Sequence, residues 1–247
     1  MARLVELGLF RWAKRRDDTS EVVLRSAGRQ AIRIWLLELF ADLVARDSPS
    51  PGSSAVEIET VRTFALFRWL DFIIATIGLL TLTPLVLVLV GFCSYYLGSP
   101  FFVQRRVGRH QEVFTLLKLR SMPIGTPSVP THLAVNVKLT PFGVFLRRTK
   151  LDEIPQLWNV LMGDMSLVGP RPCLPDQQEL IVARERLGVF EVRPGITGLA
   201  QISKIDMSTP QLLAETDKKL IATLNLKNYF RYLILTVIGN GSGDQIN

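Results

Sequence analysis

An uncharged apolar run from Phe72 to Leu97 constrains this chain more than any other feature of its sequence. A helix rises about 1.5 Å per residue, so the run is long enough to cross a hydrocarbon core about 30 Å thick. Residues 81–84, Thr-Leu-Thr-Pro, lie near its middle. The proline removes a backbone hydrogen bond, and the hydroxyl groups can satisfy freed carbonyl groups. The run therefore predicts a membrane helix with a kink at Pro84.

Basic residues flank this run at both ends. Arg62 and Arg68 precede it, and Arg105, Arg106 and Arg109 follow it. Because basic flanks stay on the cytoplasmic side of a membrane, the distribution favours a helix that enters one leaflet, bends and returns. A single kinked span with its ends on opposite sides is the alternative that the residues leave open.

The composition indicates a basic protein that lies against an anionic partner. The chain has 48% hydrophobic residues, a mean hydropathy of +0.25 and a formal net charge of +7. Phosphorylated ligands and a membrane surface both fit this balance. The two cysteines and two histidines are too few for a disulfide framework, a His-rich zinc site or a typical Ser-His-Asp hydrolase.

The chain divides into three parts. Residues 1–54 are predicted to form an N-terminal extension, with an amphipathic helix over 28–46 and a Pro/Ser/Gly-rich linker over 47–54. That helix is predicted either to dock on protein or to lie in the membrane interface. Residues 55–98 hold the membrane helix, and residues 99–247 form a loop-rich α+β domain. Apolar residues precede basic ones at the N-terminus, the reverse of a signal peptide, so export is not expected.

Periodicity predicts several elements of the C-terminal part. Alternating apolar stretches at 101–105 and 114–118, with Gly108 between them, predict a β-hairpin. A loop is expected over 123–130. Helical spacing predicts helices over 151–161, 178–187 and 210–224, and the apolar segment 229–238 is expected to pack on the membrane interface.

Basic residues concentrate in segments that could hold phosphate groups. Residues 104–109 and 118–120 bring five cations to the predicted hairpin, and Arg147 and Arg148 add two more. Guanidinium groups bind phosphate in bidentate fashion, and lysine neutralises a point charge. A solvated basic face or a lipid head-group patch is the alternative for any one of these clusters.

Asp152 and Glu153 follow the arginine pair where the predicted helix begins. The structural interpretation is that acids at a helix N-terminus complement the helix dipole. The functional interpretation is that a carboxylate beside two arginines stays ionised and meets a phosphate, as a nucleophile or as a Mg²⁺ ligand. Asp164 is a candidate for a further metal ligand or a loop cap.

Two glycine- and proline-rich segments, 163–172 and 193–198, each place one arginine beside a rigid turn. These arginines are Arg171 and Arg193. Either segment alone could be an ordinary turn. Both segments together with the acid pair favour an anion site.

These segments resemble the bacterial sugar transferase family, the monotopic polyprenyl-phosphate phosphoglycosyltransferases. The resemblance covers about residues 62–220 and rests on the proline-broken helix and on five motifs. The motifs are Gln104-Arg-Arg-Val-Gly, Phe114-Thr-Leu-Leu-Lys-Leu-Arg-Ser-Met, Leu151-Asp-Glu-Ile-Pro-Gln-Leu-Trp-Asn, Gly163-Asp-Met-Ser-Leu-Val-Gly-Pro-Arg-Pro and Arg193-Pro-Gly-Ile-Thr-Gly-Leu-Ala-Gln. The resemblance implies an α+β, predominantly helical, membrane-associated (monotopic) fold with a small β-hairpin and a re-entrant membrane helix broken at Thr83 and Pro84.

The resemblance also implies an activity. A sugar 1-phosphate moves from a UDP-sugar to undecaprenyl phosphate and UMP is released, which initiates a bacterial polysaccharide such as an exopolysaccharide or O-antigen. Asp152 forms a covalent phosphosugar intermediate, Glu153 assists beside it, and Mg²⁺, with Asp152 as a ligand, neutralises the diphosphate. The positions that match the family's phosphate site are Lys118, Arg147, Arg171 and Arg193.

The implied location is the cytoplasmic face of the bacterial inner membrane. The implied partners are the UDP-sugar, undecaprenyl phosphate and membrane lipids; a homodimer is left open, and no nucleic acid is expected. Ser203 and Lys204 replace the Asn-Gly-Arg that often follows Gln201 in the family, so the sugar stays open, with a lean to an N-acetylated one. A non-catalytic basic scaffold on the membrane and a nucleic-acid binder would use the same cations without needing Asp152.

Overall fold

The computed structural model describes residues 55–124 and 140–238, and for residues 55–65 it describes the backbone alone. The predicted amphipathic helix over 28–46 and the linker over 47–54 lie outside these residues, as does most of the predicted loop over 123–130. The described residues from Arg62 onward belong to one compact unit. They are mostly helical with small two-stranded sheets, as an α+β prediction requires.

The longest element is helix α1, Ala55–Leu97. Its segment Leu66–Leu97 is long and apolar enough to cross a membrane, and only 11% of its most apolar window is buried, unlike the core helix of a soluble protein. Pro84 lies inside the helix. The hydroxyl groups of Thr81 and Thr83 donate to carbonyl groups of the preceding turn. The proline therefore removes one hydrogen bond without dividing α1 into two helices.

A β-hairpin follows α1, as predicted. Strand β1, Phe101–Val107, pairs antiparallel with strand β2, Val113–Leu119. A 3-10 turn, Arg109–Gln111, joins the strands, and His110 lies there in the left-handed region with φ 53°. The pairing extends beyond the predicted strands, up to Val107 opposite Val113 at the turn.

The segment predicted as one helix around the acid pair is divided in the structure. Helix α2, Pro141–Thr149, ends at Lys150, whose φ of 57° lies in the left-handed region. A 3-10 turn, Leu151–Glu153, follows, and helix α3, Gln156–Met162, begins after Pro155. Proline lacks a backbone N–H, so it is tolerated at the start of a helix and not in its interior. The predicted helix 151–161 is therefore confirmed as an α-helix from Gln156 onward, whereas its first three residues form a 3-10 turn instead.

The two glycine- and proline-rich segments pack against each other. Strand β3, Ser166–Val168, runs parallel to strand β4, Gly195–Thr197. A Cβ atom on Gly195 would lie 2.0 Å from the backbone nitrogen of Gly169, so only glycine permits this approach. The pairing brings the loop that carries Arg171 beside the turn that follows Arg193.

Four helices complete the described chain. Two of them confirm the predicted helices 178–187 and 210–224, and a third covers most of the apolar segment 229–238. The fourth helix has a single turn. It lies, with a 3-10 turn at Val189–Glu191, between the two helices that were predicted. In chain order these helices are α4, Gln178–Arg186; α5, Leu199–Ile202; α6, Pro210–Thr223; and α7, Leu226–Val237. Helix α4 packs on α6, and α7 packs on β3 and β4.

Helix α1 contacts the rest of the unit at two separate places. Near its beginning, Phe67 and Ala75 belong to a core that also contains residues of α3, β3 and α7. Near its end, Leu89 and Cys93 pack with residues of β2 and α2. Leu80 lies between these two places and is 73% exposed. The unit therefore packs against both ends of the apolar segment and leaves its middle uncovered.

Two buried charged residues fix the beginning of this segment. Arg68 donates to the carbonyl groups of Val160 at 2.7 Å and Met165 at 3.3 Å. Asp71 accepts hydrogen bonds from the hydroxyl of Tyr229 at 2.7 Å and from a backbone amide of β3 at 2.9 Å. Buried charges require partners of this kind. Arg68, expected from the sequence as a flanking charge, is thus also a structural residue.

Candidate active site

The acid pair lies in the turn between α2 and α3. The left-handed conformation of Lys150 ends α2 and redirects the chain, and the amide of Glu153 then donates to the Lys150 carbonyl. Asp152 is directed inward and is only 7% exposed. The sequence placed this pair at an α-helix N-terminus, and the structure places it in a 3-10 turn instead. Side chains of neighbouring elements supply the charges around the pair.

Glu153 forms two ion pairs. Its Oε1 accepts from Lys118 Nζ at 2.9 Å and lies 3.4 Å from Nη2 of Arg171. The side chain of Glu153 is 11% exposed, that of Lys118 13% and that of Arg171 17%, so solvent screens these pairs weakly. Glu153 thereby joins strand β2 to the loop after β3 at one point of the site.

The Asp152 carboxylate, by contrast, forms no hydrogen bond or ion pair within the described residues. Burial raises the pKa of Asp152 from 3.8 to about 6; the charge of Glu153 also raises it, while Lys118, Arg147 and Arg171 lower it. At neutral pH the group is therefore mostly ionised and more basic than an exposed aspartate. A basic, ionised carboxylate facing cations is suited to attack or to metal binding at a bound phosphate.

Arg147 extends from α2 toward the same site. Its Nε donates to Ser121 Oγ at 3.0 Å, and its Nη1 is buried without a hydrogen-bond partner in the described part of the chain. A Cβ atom on Gly143 would lie 2.1 Å from the carbonyl oxygen of Ser121, so glycine lets α2 approach this segment closely. A buried donor without an acceptor is costly, and a phosphate oxygen would remove that cost.

Lys150 adds a further cation that the sequence analysis did not single out. Burial lowers its pKa, and the charges of Glu153 and Asp152 oppose this effect. The sequence contains no local signal for the left-handed conformation of Lys150, so only the structure shows that this residue lies beside the acid pair.

The loop that carries Arg171 is held by two other arginines. Arg184 donates through Nη1 to the carbonyl of Arg171 at 2.8 Å, and its Nε and Nη2 both bond to Oδ2 of Asp217, at 3.0 and 2.7 Å. The Arg184 and Asp217 side chains are 2% and 1% exposed. Arg106 donates to the carbonyl of Pro172 at 3.0 Å. The sequence analysis missed Arg184 and Asp217, since two residues on separate helices form no local motif.

Several predicted phosphate ligands on the hairpin have structural contacts instead. Arg106 bonds to Gln104 as well as to the loop, and Arg109 donates to the carbonyl of Glu191 at 2.9 Å. Arg120 lies over the ring of Phe102, 5.8 Å from its centroid. Lys118, on β2, pairs with Glu153 of the acid pair.

Arg193 and Asp164 also have defined contacts. Arg193 donates through Nε to the carbonyl of Gly163 at 2.9 Å, which ties the turn before β4 to the end of α3. Asp164 Oδ2 accepts from Nδ2 of Asn159 at 3.2 Å. Asn159 in turn bonds through its side chain to the backbone of Leu117 and Thr115 in β2. Asp164 therefore helps to hold the Asn159 side chain, which joins α3 to the hairpin.

The arrangement is compatible with a magnesium ion held jointly by protein and substrate. No group of three or more His, Cys, Asp or Glu side chains that could hold a metal occurs among the described residues. Mg²⁺, however, commonly binds one or two carboxylates together with substrate phosphates and keeps several waters. The unpartnered carboxylate of Asp152 meets that requirement, whereas Oε1 of Glu153 is already paired with two cations.

A family model matches the part of the chain that contains this site. Residues 62–240 match the family model described as bacterial sugar transferase. An uncharacterized sugar transferase of Bacillus subtilis is 42% identical over 139 residues, which cover 56% of this chain and 68% of the relative.

Two longer relatives carry names that state an activity. The UDP-glucose:undecaprenyl-phosphate glucose-1-phosphate transferase of Xanthomonas campestris is 41% identical over 151 residues, covering 58% of this chain and 31% of the relative. The undecaprenyl-phosphate galactose phosphotransferase of Salmonella typhimurium is 35% identical over 155 residues, covering 56% of this chain and 32% of the relative. The chain thus spans about a third of these two proteins. The family match covers most of the chain and all of the residues around Asp152, and the protein is a transferase that belongs to the bacterial sugar transferase family.

Proposed function

We propose that the protein transfers a sugar 1-phosphate from a UDP-sugar to undecaprenyl phosphate, releases UMP and thereby initiates a bacterial polysaccharide or glycoconjugate. The observation that carries the proposal is the Asp152 carboxylate, which is buried, unpartnered and faced by Lys118, Arg147 and Arg171. Names of the longer relatives support the lipid acceptor and the nucleotide-sugar donor.

In the first step, an oxygen of Asp152 attacks the β-phosphorus of the UDP-sugar. The bond from that phosphorus to the bridging oxygen breaks, and UMP leaves with the bond's electron pair. The product is a mixed anhydride between the Asp152 carboxyl group and the sugar phosphate. Lys118, Arg147 and Arg171 neutralise charge that accumulates on the phosphoryl oxygens, which is the main contribution that a protein makes to phosphoryl transfer.

Glu153 has a different role from Asp152. Its Oε1 is held by Lys118 and Arg171 at 2.9 and 3.4 Å, so attack would first require these ion pairs to break. We infer that Glu153 keeps the two cations in position beside the nucleophile. The unpartnered carboxylate of Asp152 requires no such rearrangement, and its raised pKa makes it a stronger base than an exposed aspartate.

In the second step, a phosphate oxygen of undecaprenyl phosphate attacks the same phosphorus and the Asp152 carboxylate leaves. The lipid product carries a diphosphate that links the prenyl chain to the sugar, and the free enzyme is restored. A bound Mg²⁺, held by Asp152 and the substrate diphosphate, would supply further neutralisation of phosphate charge.

We also propose that α1 enters and leaves the membrane on its cytoplasmic side, so that the unit lies on the inner face of the bacterial inner membrane. Support comes from the packing of α1, since Phe67 near one end and Cys93 near the other both contact the same unit. A helix that crossed the bilayer would carry one of these ends away from that unit. The exposed apolar side chains between the two contacts, such as Leu80 and Leu87, would then lie in lipid.

A trapping experiment tests the chemistry. Wild-type protein incubated with a panel of UDP-sugars and Mg²⁺, without lipid acceptor, should release up to one UMP per protein with the correct sugar. The peptide that contains Asp152 should gain the mass of a sugar phosphate. Asp152→Asn should form no adduct, because an amide cannot displace UMP. Glu153→Gln should form the same adduct slowly. Release of UMP only in the presence of acceptor would contradict the covalent intermediate.

A further inference from the structure

Lys150 is a cation beside the acid pair whose backbone conformation is unusual for lysine. Its φ of 57° and ψ of 18° lie in the left-handed region, where a Cβ atom crowds the following carbonyl group. Two backbone hydrogen bonds hold it there. Its amide donates to the carbonyl of Arg147 at 3.2 Å, and its carbonyl accepts from the amide of Glu153 at 3.1 Å. Residues held in an unfavourable conformation in this way cluster at functional sites.

The side chain of Lys150 carries a positive charge that the site itself does not pair. The residue is partly buried, and its ammonium group has no ion-pair partner among the described residues. It lies within electrostatic range of both carboxylates of the acid pair and of Arg171. Glu153, however, is already paired with Lys118 and Arg171, at 2.9 and 3.4 Å. The Lys150 ammonium group is therefore available to an anion that enters the site.

A second left-handed lysine shows what distinguishes Lys150 from an ordinary turn residue. Lys204 lies just after α5 with φ 58°, and its side chain is exposed. Water solvates that ammonium group, so it needs no anionic partner. Lys150 has the same backbone conformation, but it is partly shielded from water, and an unpaired charge costs more free energy there. The combination of conformation, burial and unpaired charge thus sets Lys150 apart.

We propose that Lys150 binds a phosphate oxygen of the nucleotide-sugar diphosphate, an inference that rests on the proposed function. The diphosphate presents two phosphate groups to the site. Three other cations act on the nucleophilic carboxylate and serve the phosphorus that it attacks, namely Lys118, Arg147 and Arg171. A further cation beside them allows the charge of both phosphate groups to be neutralised, including the one that leaves with UMP.

Two substitutions separate the ammonium group from the backbone turn. Asparagine and glycine both tolerate the left-handed region, so Lys150→Asn and Lys150→Gly should keep the turn and have a Tm close to that of wild type. Lys204→Asn makes the same change at the exposed left-handed lysine, and its Tm is the control for the backbone. Lys218→Asn, at an exposed position of α6, is the activity control for the loss of a positive charge.

The binding of UDP with Mg²⁺ is measured by calorimetry in detergent, and UMP release from the UDP-sugar is measured without lipid acceptor. Both Lys150 variants should weaken UDP binding about tenfold, because a charge-assisted hydrogen bond to phosphate is lost. The second-order rate constant of UMP release should fall by at least the same factor. Lys218→Asn should behave as wild type in both assays.

Unchanged UDP binding in the Lys150 variants would overturn the assignment. An equal loss in Lys218→Asn would also overturn it, since it would indicate a general effect of charge. If one Lys150 variant has a much lower Tm than wild type, the other decides the outcome, because the two stabilise the turn by different means. Absence of UMP release by the wild type with every UDP-sugar would refute the proposed function itself, a result distinct from any of these.

Discussion

Replacing Asp152 with asparagine should stabilise the protein while abolishing its activity. Burial raises the pKa of Asp152 from 3.8 to about 6 in the folded protein. One pKa unit corresponds to about 1.4 kcal/mol, so the ionised carboxylate lowers the free energy of unfolding by on the order of 3 kcal/mol. Asparagine has nearly the same shape and carries no charge. The variant should therefore recover up to that amount of stability.

The pH dependence of this effect has a definite sign. Between the unfolded pKa of 3.8 and the folded pKa of about 6, the folded state binds more protons than the unfolded state. The destabilisation is therefore complete above about pH 6 and is lost as the pH falls toward the unfolded pKa. The stability difference between Asp152→Asn and wild type should be largest in neutral and alkaline buffer and should vanish near pH 4.

Thermal unfolding in detergent over this pH range provides the assay. For a chain of this size, a gain of about 3 kcal/mol raises Tm by roughly 6–12 °C. Asp176→Asn is the control, because Asp176 is exposed and the change should leave Tm nearly unaltered. A lower Tm for Asp152→Asn at neutral pH, or a gain that is the same at every pH, would refute the reasoning. The first result would mean that the surrounding cations stabilise the ionised carboxylate, and the second would mean that the gain does not come from its charge.

Three further predictions concern topology and the surrounding cations. Single cysteines placed at Thr60 and Arg105 should be labelled from the same side of the membrane, and labelling from opposite sides would contradict the re-entrant helix. Arg147→Lys should slow UMP release about tenfold or more, because lysine cannot form paired guanidinium hydrogen bonds, whereas the same change at exposed Arg148 should have little effect. Arg184→Lys should lower both Tm and the rate of UMP release more than Arg148→Lys does, and an unaltered rate would show that Arg184 does not position the site.

Much of the architecture was predictable because it depends on patterns between neighbours in sequence. The uncharged run from Phe72 to Leu97 specifies a long apolar helix, and the alternation at 101–105 and 114–118 specifies a hairpin. The acid pair was recognisable from its motif and from the arginines just before it. In each of these cases, residues close together in sequence are sufficient for the prediction. The pattern they form is an apolar run, an alternation typical of a strand, or a local cluster of charges.

The tertiary structure decided that the two carboxylates of the acid pair have different contacts. The sequence presented Asp152 and Glu153 as equivalent neighbours, and the fold made one unpartnered and the other doubly ion-paired. Both residues lie in the 3-10 turn that follows the left-handed Lys150. No local pattern encodes that conformation, since Lys150 is neither a glycine nor an asparagine.

The roles of the arginines were also decided at this level. Arg106, Arg171 and Arg184 are all arginines, and the sequence does not distinguish their roles. Arg171 pairs with Glu153, whereas Arg106 and Arg184 hold the loop that carries Arg171. Which role each takes depends on the contacts between elements that are distant in the chain, such as α4 with α6. The sequence by itself indicated a long apolar helix and an acid pair surrounded by cations. Only the packing of distant elements determined which cations reach the acid pair, because the strength of a charge interaction depends on distance and burial and not on residue type alone.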